Sequence, residues 1–205
     1  MMNPAPAPYP QLAPPGAGLP GFELFAARLL FSLRCTVTTR SAAVAKIAAE
    51  RAALNALVRL CDPATCAERV LIPRPRGLED SSRHWSVWMT LEHLRLVNEG
   101  IARTILALLA GHAPPGVVST ADVKPAPTVD AAVLGTFDRS CEVLARAGHD
   151  AITLDTPQRH THPWFGPLDA TRWQVLGGMH LGLHRRQIEV ILRTLAAKPI
   201  RRKFT

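Results

Sequence analysis

The sequence has few cysteines and few aromatic residues. Its four cysteines include no C-x-x-C pair, which excludes a disulfide scaffold and a cysteine-type zinc finger. Aromatic residues make up 5% of the chain. Val, Ile and Thr form few alternating runs, whereas Ala, Leu and Arg dominate, so the composition favours helices over a β-sandwich or barrel.

The chain also has no apolar run long enough to cross a bilayer. Its Pro-rich first 20 residues lack the positive start and apolar centre of a secretory signal. We therefore expect no membrane insertion, a cytoplasmic location and reduced thiols.

The sequence has fewer acidic than basic residues. Asp and Glu total 16 against 24 Lys and Arg, giving a net charge of +8. This balance permits nucleic-acid binding, and a basic helical nucleic-acid binder is one hypothesis. The arginines are scattered, however, and cluster only at 201–203. No nucleic-acid-binding motif accompanies them, so we do not expect a nucleic-acid partner.

Apolar residues at helical spacing predict four main helices and one extra helix at the N-terminal side. The extra helix spans about 22–35, and the main helices span about 41–60, 86–109, 129–147 and 169–197. Ser41, Ser86 and Thr128 are the predicted N-caps, and Gly148 ends the third main helix. Loops at 62–83, 114–127 and 150–167 connect them. The pattern predicts an all-α four-helix bundle.

The predicted domain organisation follows from these elements. Residues 1–20 form a disordered Pro-rich tail, because proline favours extended conformers and lacks a backbone donor. Residues 21–199 form one helical bundle domain with a core at about 41–197. Residues 200–205 form a basic C-terminal tail.

Histidines stand on inner faces of two predicted helices. His180 and His184 are four residues apart and share a face, and His93 occupies an inner position of the helix at 86–109. Buried imidazoles need partners, and three at one level could bind a single cation such as Zn, Ni, Cu or Fe. Three protein ligands leave a coordination position open for water or substrate. The alternative is three histidines satisfied by ordinary core or surface contacts.

Other residues near these histidines are candidates for supporting roles. Glu92 is a candidate base or acceptor behind a ligand, and Arg185 is a candidate for attracting an anionic substrate; both could instead be solvated charges. Gln187, one turn past His184, could bond a ligand ring or a neighbouring helix, and we favour a structural role for it.

Two further sites remain open in the loops. His160 and His162, two residues apart, could form a second metal site, contact substrate or belong to a structural loop. Cys66, in the crossover loop, is the cysteine expected to react most readily.

Two stretches resemble the DinB/YfiT-like superfamily: HWSVWMTLEHL at 84–94 and HPWFGPLDATRWQVLGGMHLGLHRRQIEVIL at 162–192. The resemblance implies an up-down-down-up bundle with one divalent metal held by His93, His180 and His184. Zn or Ni is expected first, and Fe or Mn next. Bacillithiol S-transferases and mycothiol-dependent maleylpyruvate isomerases in this superfamily use a low-molecular-weight thiol as the working nucleophile.

The resemblance therefore implies a metal-dependent enzyme that activates a thiol or water for transfer, isomerisation or hydrolysis of a small electrophilic substrate. The alternative is a non-catalytic, metal-stabilised module for stress response or binding. A homodimer is expected by analogy. The extra N-terminal helix could cover a bundle face, contribute to a dimer or lie over the metal site.

Overall fold

The computed structural model describes residues 10–116 and 118–197, and the regular secondary structure of this part of the chain is almost all helical. The α-helices are α1 (Gly21–Val37), α2 (Arg40–Arg59), α3 (Pro63–Ala67), α4 (Val87–Leu109), α5 (Val133–Arg146) and α6 (Ala170–Ala196). A 3₁₀ turn spans Asp80–Ser82, and strands β1 (His160–His162) and β2 (Gly166–Leu168) form an antiparallel hairpin. None of the described helices is long and apolar enough to span a membrane.

Helices α2, α4, α5 and α6 form a four-helix bundle. Helix α6 packs between α2 and α4, and α5 packs against α4 and α2. Gly178 lies against Ala43, and Gly182, one turn later, lies against Glu50. Because a later residue of α6 contacts a later residue of α2, the two helices run parallel.

The other two helices also run parallel to each other. Asn98 of α4 hydrogen-bonds Cys141 of α5, and Leu109, near the end of α4, lies against Gly148 just after α5. Arg51 of α2 pairs with Asp138 of α5. Because Gly148 also bonds the start of α2 through Arg40, α2 and α5 are antiparallel. The four helices therefore run up, down, down and up, as the resemblance implies.

Large apolar side chains fill the space between the four helices. Burying each one stabilises the fold by about 1.5–3 kcal/mol relative to exposure. Those that are almost fully enclosed include Ile47, Leu54, Leu91, Leu94, Ile105, Phe137, Leu144 and Leu181.

The start of α4 is confirmed and that of α2 is corrected. Ser86 caps α4 by accepting a hydrogen bond from a backbone N–H of the first turn at 3.1 Å. The predicted cap Ser41 lies inside α2. Thr39 caps this helix instead, accepting from the N–H of Ala42 at 3.2 Å. A Thr hydroxyl caps a helix as a Ser hydroxyl does. The non-helical link between α1 and α2 therefore consists of only two residues.

The start of α5 was predicted too early. Thr128 does not cap it, because the helix begins at Val133. The intervening residues form a turn in which the Asp130 carboxylate accepts from the N–H of Ala132 at 2.9 Å. Gly148 follows the helix with a φ of +75°, a conformation suited to glycine, so the predicted terminator is confirmed.

The Pro-rich segment at 10–20 belongs to the stretch for which the sequence predicts disorder, yet the structure shows it bonded to the crossover loop. The Glu79 carboxylate accepts from the backbone N–H groups of Gly16 and Gly18. Asp80 accepts from Ala13 at 2.8 Å. Residues 1–9 and the basic tail at 200–205 lie outside the described residues.

The loop predicted at 150–167 contains the β-hairpin, which the sequence did not reveal. Its strands have three residues each, too few for a periodic signal. Helix α1 packs over this hairpin: the rings of Phe31 and Phe165 lie 4.4 Å apart, and Arg28 donates to the carbonyl of Trp164 at 2.6 Å. The extra helix thus covers one side of the bundle.

Candidate metal centre

The structure brings His93, His180 and His184 together between α4 and α6. The Nε2 atom of His180 lies 3.2 Å from that of His93 and 3.1 Å from that of His184. One ligand atom from each ring falls within 4.8 Å of the others. Two ligands one turn apart on α6 meet the third because antiparallel α4 presents it at the same level.

Hydrogen bonding fixes the tautomer of His93. Its Nδ1 lies 2.8 Å from the carbonyl oxygen of Val123. A carbonyl only accepts, so Nδ1 carries the proton and donates it. In the neutral ring, Nε2 then has a free lone pair directed at the other two histidines.

Gln187 fixes the tautomer of His184 in the same way. The amide nitrogen of Gln187 donates to the carbonyl of Ser82 at 2.8 Å, which orients the amide oxygen toward Nδ1 of His184, 2.6 Å away. This Nδ1 is therefore protonated, and its Nε2 also has a free lone pair. The sequence offers a ligand ring or a neighbouring helix as the partner of Gln187. The structure shows a bond to the ring of His184 and a second bond to the 3₁₀ turn that contains Ser82.

With these tautomers, neither His93 nor His184 carries a proton on Nε2, so only His180 could supply one to these contacts. A proton on Nε2 of His180 could serve His93 or His184, but not both at once. At least one of the two Nε2–Nε2 contacts at about 3 Å would then have no proton to share. One cation that accepts all three lone pairs removes this conflict, so the donor set fits a divalent metal.

Burial keeps these imidazoles neutral. Loss of solvation lowers the pKa of His93 to about 4, despite the opposing hydrogen bond to Val123. Burial also holds the pKa values of His180 and His184 well below the ordinary value, and the nearby imidazoles add to that effect. Neutral imidazole is the form that binds metals.

Trp85 covers the cluster from one side, a contact the sequence did not predict. Its ring stacks on His184 at 6.2 Å and lies 5.1 Å from the ring of His93. The Trp-Ser pair belongs to the motif that resembles the superfamily, so the sequence marked Trp85 without indicating that it packs on the histidines. The carbonyls of Val123 and Ser82 had no such signal, because any residue supplies a backbone carbonyl.

The two charged candidates beside the histidines are held in ion pairs. Both carboxylate oxygens of Glu92 accept from Arg95 at 2.7 and 2.8 Å, and this pairing lowers the pKa of Glu92. Arg185 pairs with Glu50 at 2.6 Å and with Glu189. Among the hydrogen bonds of the described residues, none links either side chain to the three histidines.

The loop histidines His160 and His162 pack on a second aromatic surface. Both rings contact the ring of Trp173, at 5.9 and 5.6 Å, and His162 also stacks on Phe165 at 5.0 Å. Burial lowers the pKa of His162 to about 4. Its Nδ1 accepts from the backbone N–H of Trp164, so its proton lies on Nε2.

Cys66 is not the reactive thiol that the sequence suggested. It is fully buried on α3, and burial raises its pKa to about 12. Because the thiolate is the nucleophile, this thiol is inert at neutral pH. The crossover loop that contains it is packed against the core, which sequence position alone did not indicate.

The fold and the cluster define a four-helix bundle with three convergent imidazoles on two of its helices. The family profile of the DinB superfamily matches residues 46–188. The chain therefore belongs to the DinB superfamily.

Comparison with solved structures agrees with the four-helix bundle fold. The structure is similar to the crystal structure of TT2238, a four-helix bundle protein, with a TM-score of 0.54 and 25% sequence identity. The match covers 74% of this chain and 98% of that chain. No curated protein matches the sequence significantly.

Proposed function

We propose that the protein is a metal-dependent enzyme in which His93, His180 and His184 bind one divalent cation. The observation that carries this proposal is the set of three Nε2 atoms, two of them with free lone pairs fixed by Val123 and Gln187. Zn or Ni is the expected metal, because three neutral imidazoles suit these ions; Fe or Mn is the next expectation.

Three protein ligands leave a coordination position open, as in catalytic metal sites. A cation held there supplies Lewis acidity, lowering the pKa of a coordinated water or thiol. The protein's own groups prepare the site: Val123 and Gln187 orient two rings through their Nδ1 protons. Trp85 excludes water from the side that it covers.

The open side of the site is the side of His180. This residue keeps some exposed surface, whereas His93 and His184 are buried. Its Nδ1 and the Nε1 of Trp173 are buried without a hydrogen-bond partner among the described residues. We expect a small polar or electrophilic substrate to approach from this side, because His180 alone of the three candidate ligands keeps exposed surface.

We propose the reaction as transfer, isomerisation or hydrolysis at a small electrophile, with water or a low-molecular-weight thiol as nucleophile. The rival role is a non-catalytic module for binding or stress response that metal only stabilises. The rival predicts that metal raises Tm while no turnover occurs, with water or with any thiol, across a panel of epoxides, maleyl compounds and activated esters.

Metal analysis of the full chain, purified without a His tag and reconstituted with Zn or Ni, tests the ligand assignment. We expect one metal per chain in the wild type and near-zero retention in His180→Ala and His184→Ala. The control is His149→Ala, because the His149 imidazole is exposed and bonds only the neighbouring Asp150 among the described residues. Equal retention in all variants, or none in the wild type, would remove the proposed site.

A further inference from the structure

Helix α1 is apolar on two opposite sides. Its inner side contacts the bundle through the buried Phe31 and the half-buried Cys35. Its outer side is a continuous apolar surface, which we call the α1 outer face. Its residues are Phe22, Phe25, Leu29, Leu30, Leu33 and Val37, each between 58% and 86% exposed.

A helix that is apolar all round is normally buried all round. Helix α1 lies before the region matched to the superfamily, which begins at residue 46, so its outer face is not part of the shared bundle.

The size of the α1 outer face matches one half of a stable dimer interface. Large apolar side chains present roughly 150–200 Å² each when fully exposed, so these exposures amount to about 700 Å². The largest apolar patch on a typical monomer is about 300–600 Å². A standard interface buries about 800 Å² on each partner.

The charges around this face favour a second copy of the chain over other partners. Arg28 and Arg34 fall on opposite borders of the face, at about 100° per residue. The one acidic residue of α1, Glu23, lies on the same border as Arg34, where its carboxylate is paired with Arg74 at 2.5 Å. The face therefore has an apolar centre and a polar rim, the usual anatomy of an interface, and it offers no acidic group to a basic partner.

A membrane surface fits less well. Interfacial helices rely on a row of basic residues beside the apolar face, whereas this face has two arginines. One of them, Arg28, already donates to the carbonyl of Trp164.

We propose that two copies of this chain associate through the α1 outer face, with the two α1 helices crossing about a twofold axis near Leu29 and Leu30. A twofold axis pairs the same surface on both copies, so a single apolar helix face suffices. Association would also fix α1 over the hairpin, because Phe31 packs on Phe165 beneath the same helix.

Sedimentation velocity of the full chain at 1–100 µM tests this proposal. We expect a mass of two 22.3 kDa chains in the wild type. In Leu29→Glu we expect a dimer dissociation constant raised at least 100-fold, because two carboxylates would be buried at the axis. The matched control is Ile152→Glu, which places the same charge on another exposed apolar residue and should leave the dimer intact.

The salt dependence and the metal content distinguish loss of a dimer from loss of the fold and from binding to a membrane. Each chain has a net charge of +8, so 0.5 M NaCl should strengthen the dimer by screening repulsion. Metal content and the helical circular dichroism of Leu29→Glu should match the wild type, showing an intact fold, whereas Tm should fall because the dimer no longer stabilises the folded chain. A monomeric wild type at 100 µM, or a Leu29→Glu dimer as stable as wild type, overturns the proposal. Salt-sensitive binding of a monomer to phosphatidylglycerol vesicles would assign the face to a membrane instead.

Discussion

Replacing Gln187 by Met should weaken metal binding without touching a candidate ligand. The amide of Gln187 is fully buried and joins Nδ1 of His184 to the carbonyl of Ser82, at 2.6 and 2.8 Å. Methionine fills a similar volume but cannot reproduce either bond. His184 then loses the partner that fixes its tautomer and ring orientation.

The structure sets the expected size of both effects. Loss of an outer hydrogen bond to a metal-binding His typically costs 10–100-fold in metal affinity, which is about 1.4–2.7 kcal/mol. The metal-free protein also retains a buried N–H and a buried carbonyl without partners. At about 1–3 kcal/mol each, Gln187→Met should lower the free energy of unfolding by about 2–6 kcal/mol.

Competition with a chelator measures the metal affinity, and urea unfolding of the metal-free protein measures stability. The matched control is Asn98→Leu. This buried amide donates to Ser140 at 3.1 Å between α4 and α5, away from the histidines. It should lose about 1–3 kcal/mol of stability and keep its metal affinity. Our reasoning fails if Gln187→Met binds metal as tightly as wild type, or if Asn98→Leu weakens metal binding equally.

Three further predictions concern packing, charge and pH. Gly148→Ala should lower the free energy of unfolding in urea by about 2–5 kcal/mol, because φ at this position is +75° and the new Cβ would lie 2.6 Å from a neighbouring leucine methyl. The control Gly111→Ala, with open space around the new Cβ, should cost about 1–2 kcal/mol. Arg185→Ala should lose about 2–3 kcal/mol by leaving the buried carboxylate of Glu50 with a single partner, while metal content stays unchanged; a loss of metal would instead give Arg185 a role at the site. Burial lowers the pKa of His93 to about 4 and holds the pKa values of His180 and His184 well below the ordinary value. Titration calorimetry should therefore show less than a tenfold loss of metal affinity from pH 7 to 5.5, where three imidazoles of ordinary pKa would lose roughly 500-fold. The same shifts mean that the unfolded chain takes up protons first, so the metal-free fold should lose stability as pH falls below about 6.5.

Much of the bundle could be predicted from the sequence, because helix formation depends on local periodicity and local stop signals. The apolar spacing located α2, α4, α5 and α6 to within a few residues, and Ser86 and Gly148 marked ends through their own conformational preferences. The predicted N-cap was wrong for α2, where Thr39 and Ser41 competed, and for α5, where a turn separates Thr128 from the helix. Only the folded backbone decides which side chain reaches an N–H.

The grouping of the three histidines was also foreseeable, because positions four apart on one helix share a face and the motif order resembled a known superfamily. The contacts that give the group its chemistry were not. The carbonyls of Val123 and Ser82 come from loops, and a backbone carbonyl has no sequence signature. Only the packed loops show that these oxygens fix the protons of His93 and His184.

The sequence by itself determined where helices form and which of their faces are apolar, since both depend on neighbours within about a turn. The tertiary structure decided what each face meets. Phe31 and Leu29 stand two residues apart on an apolar helix, yet one is buried against the hairpin and the other is exposed. Burial depends on segments more than a hundred residues away, and no local pattern records their position.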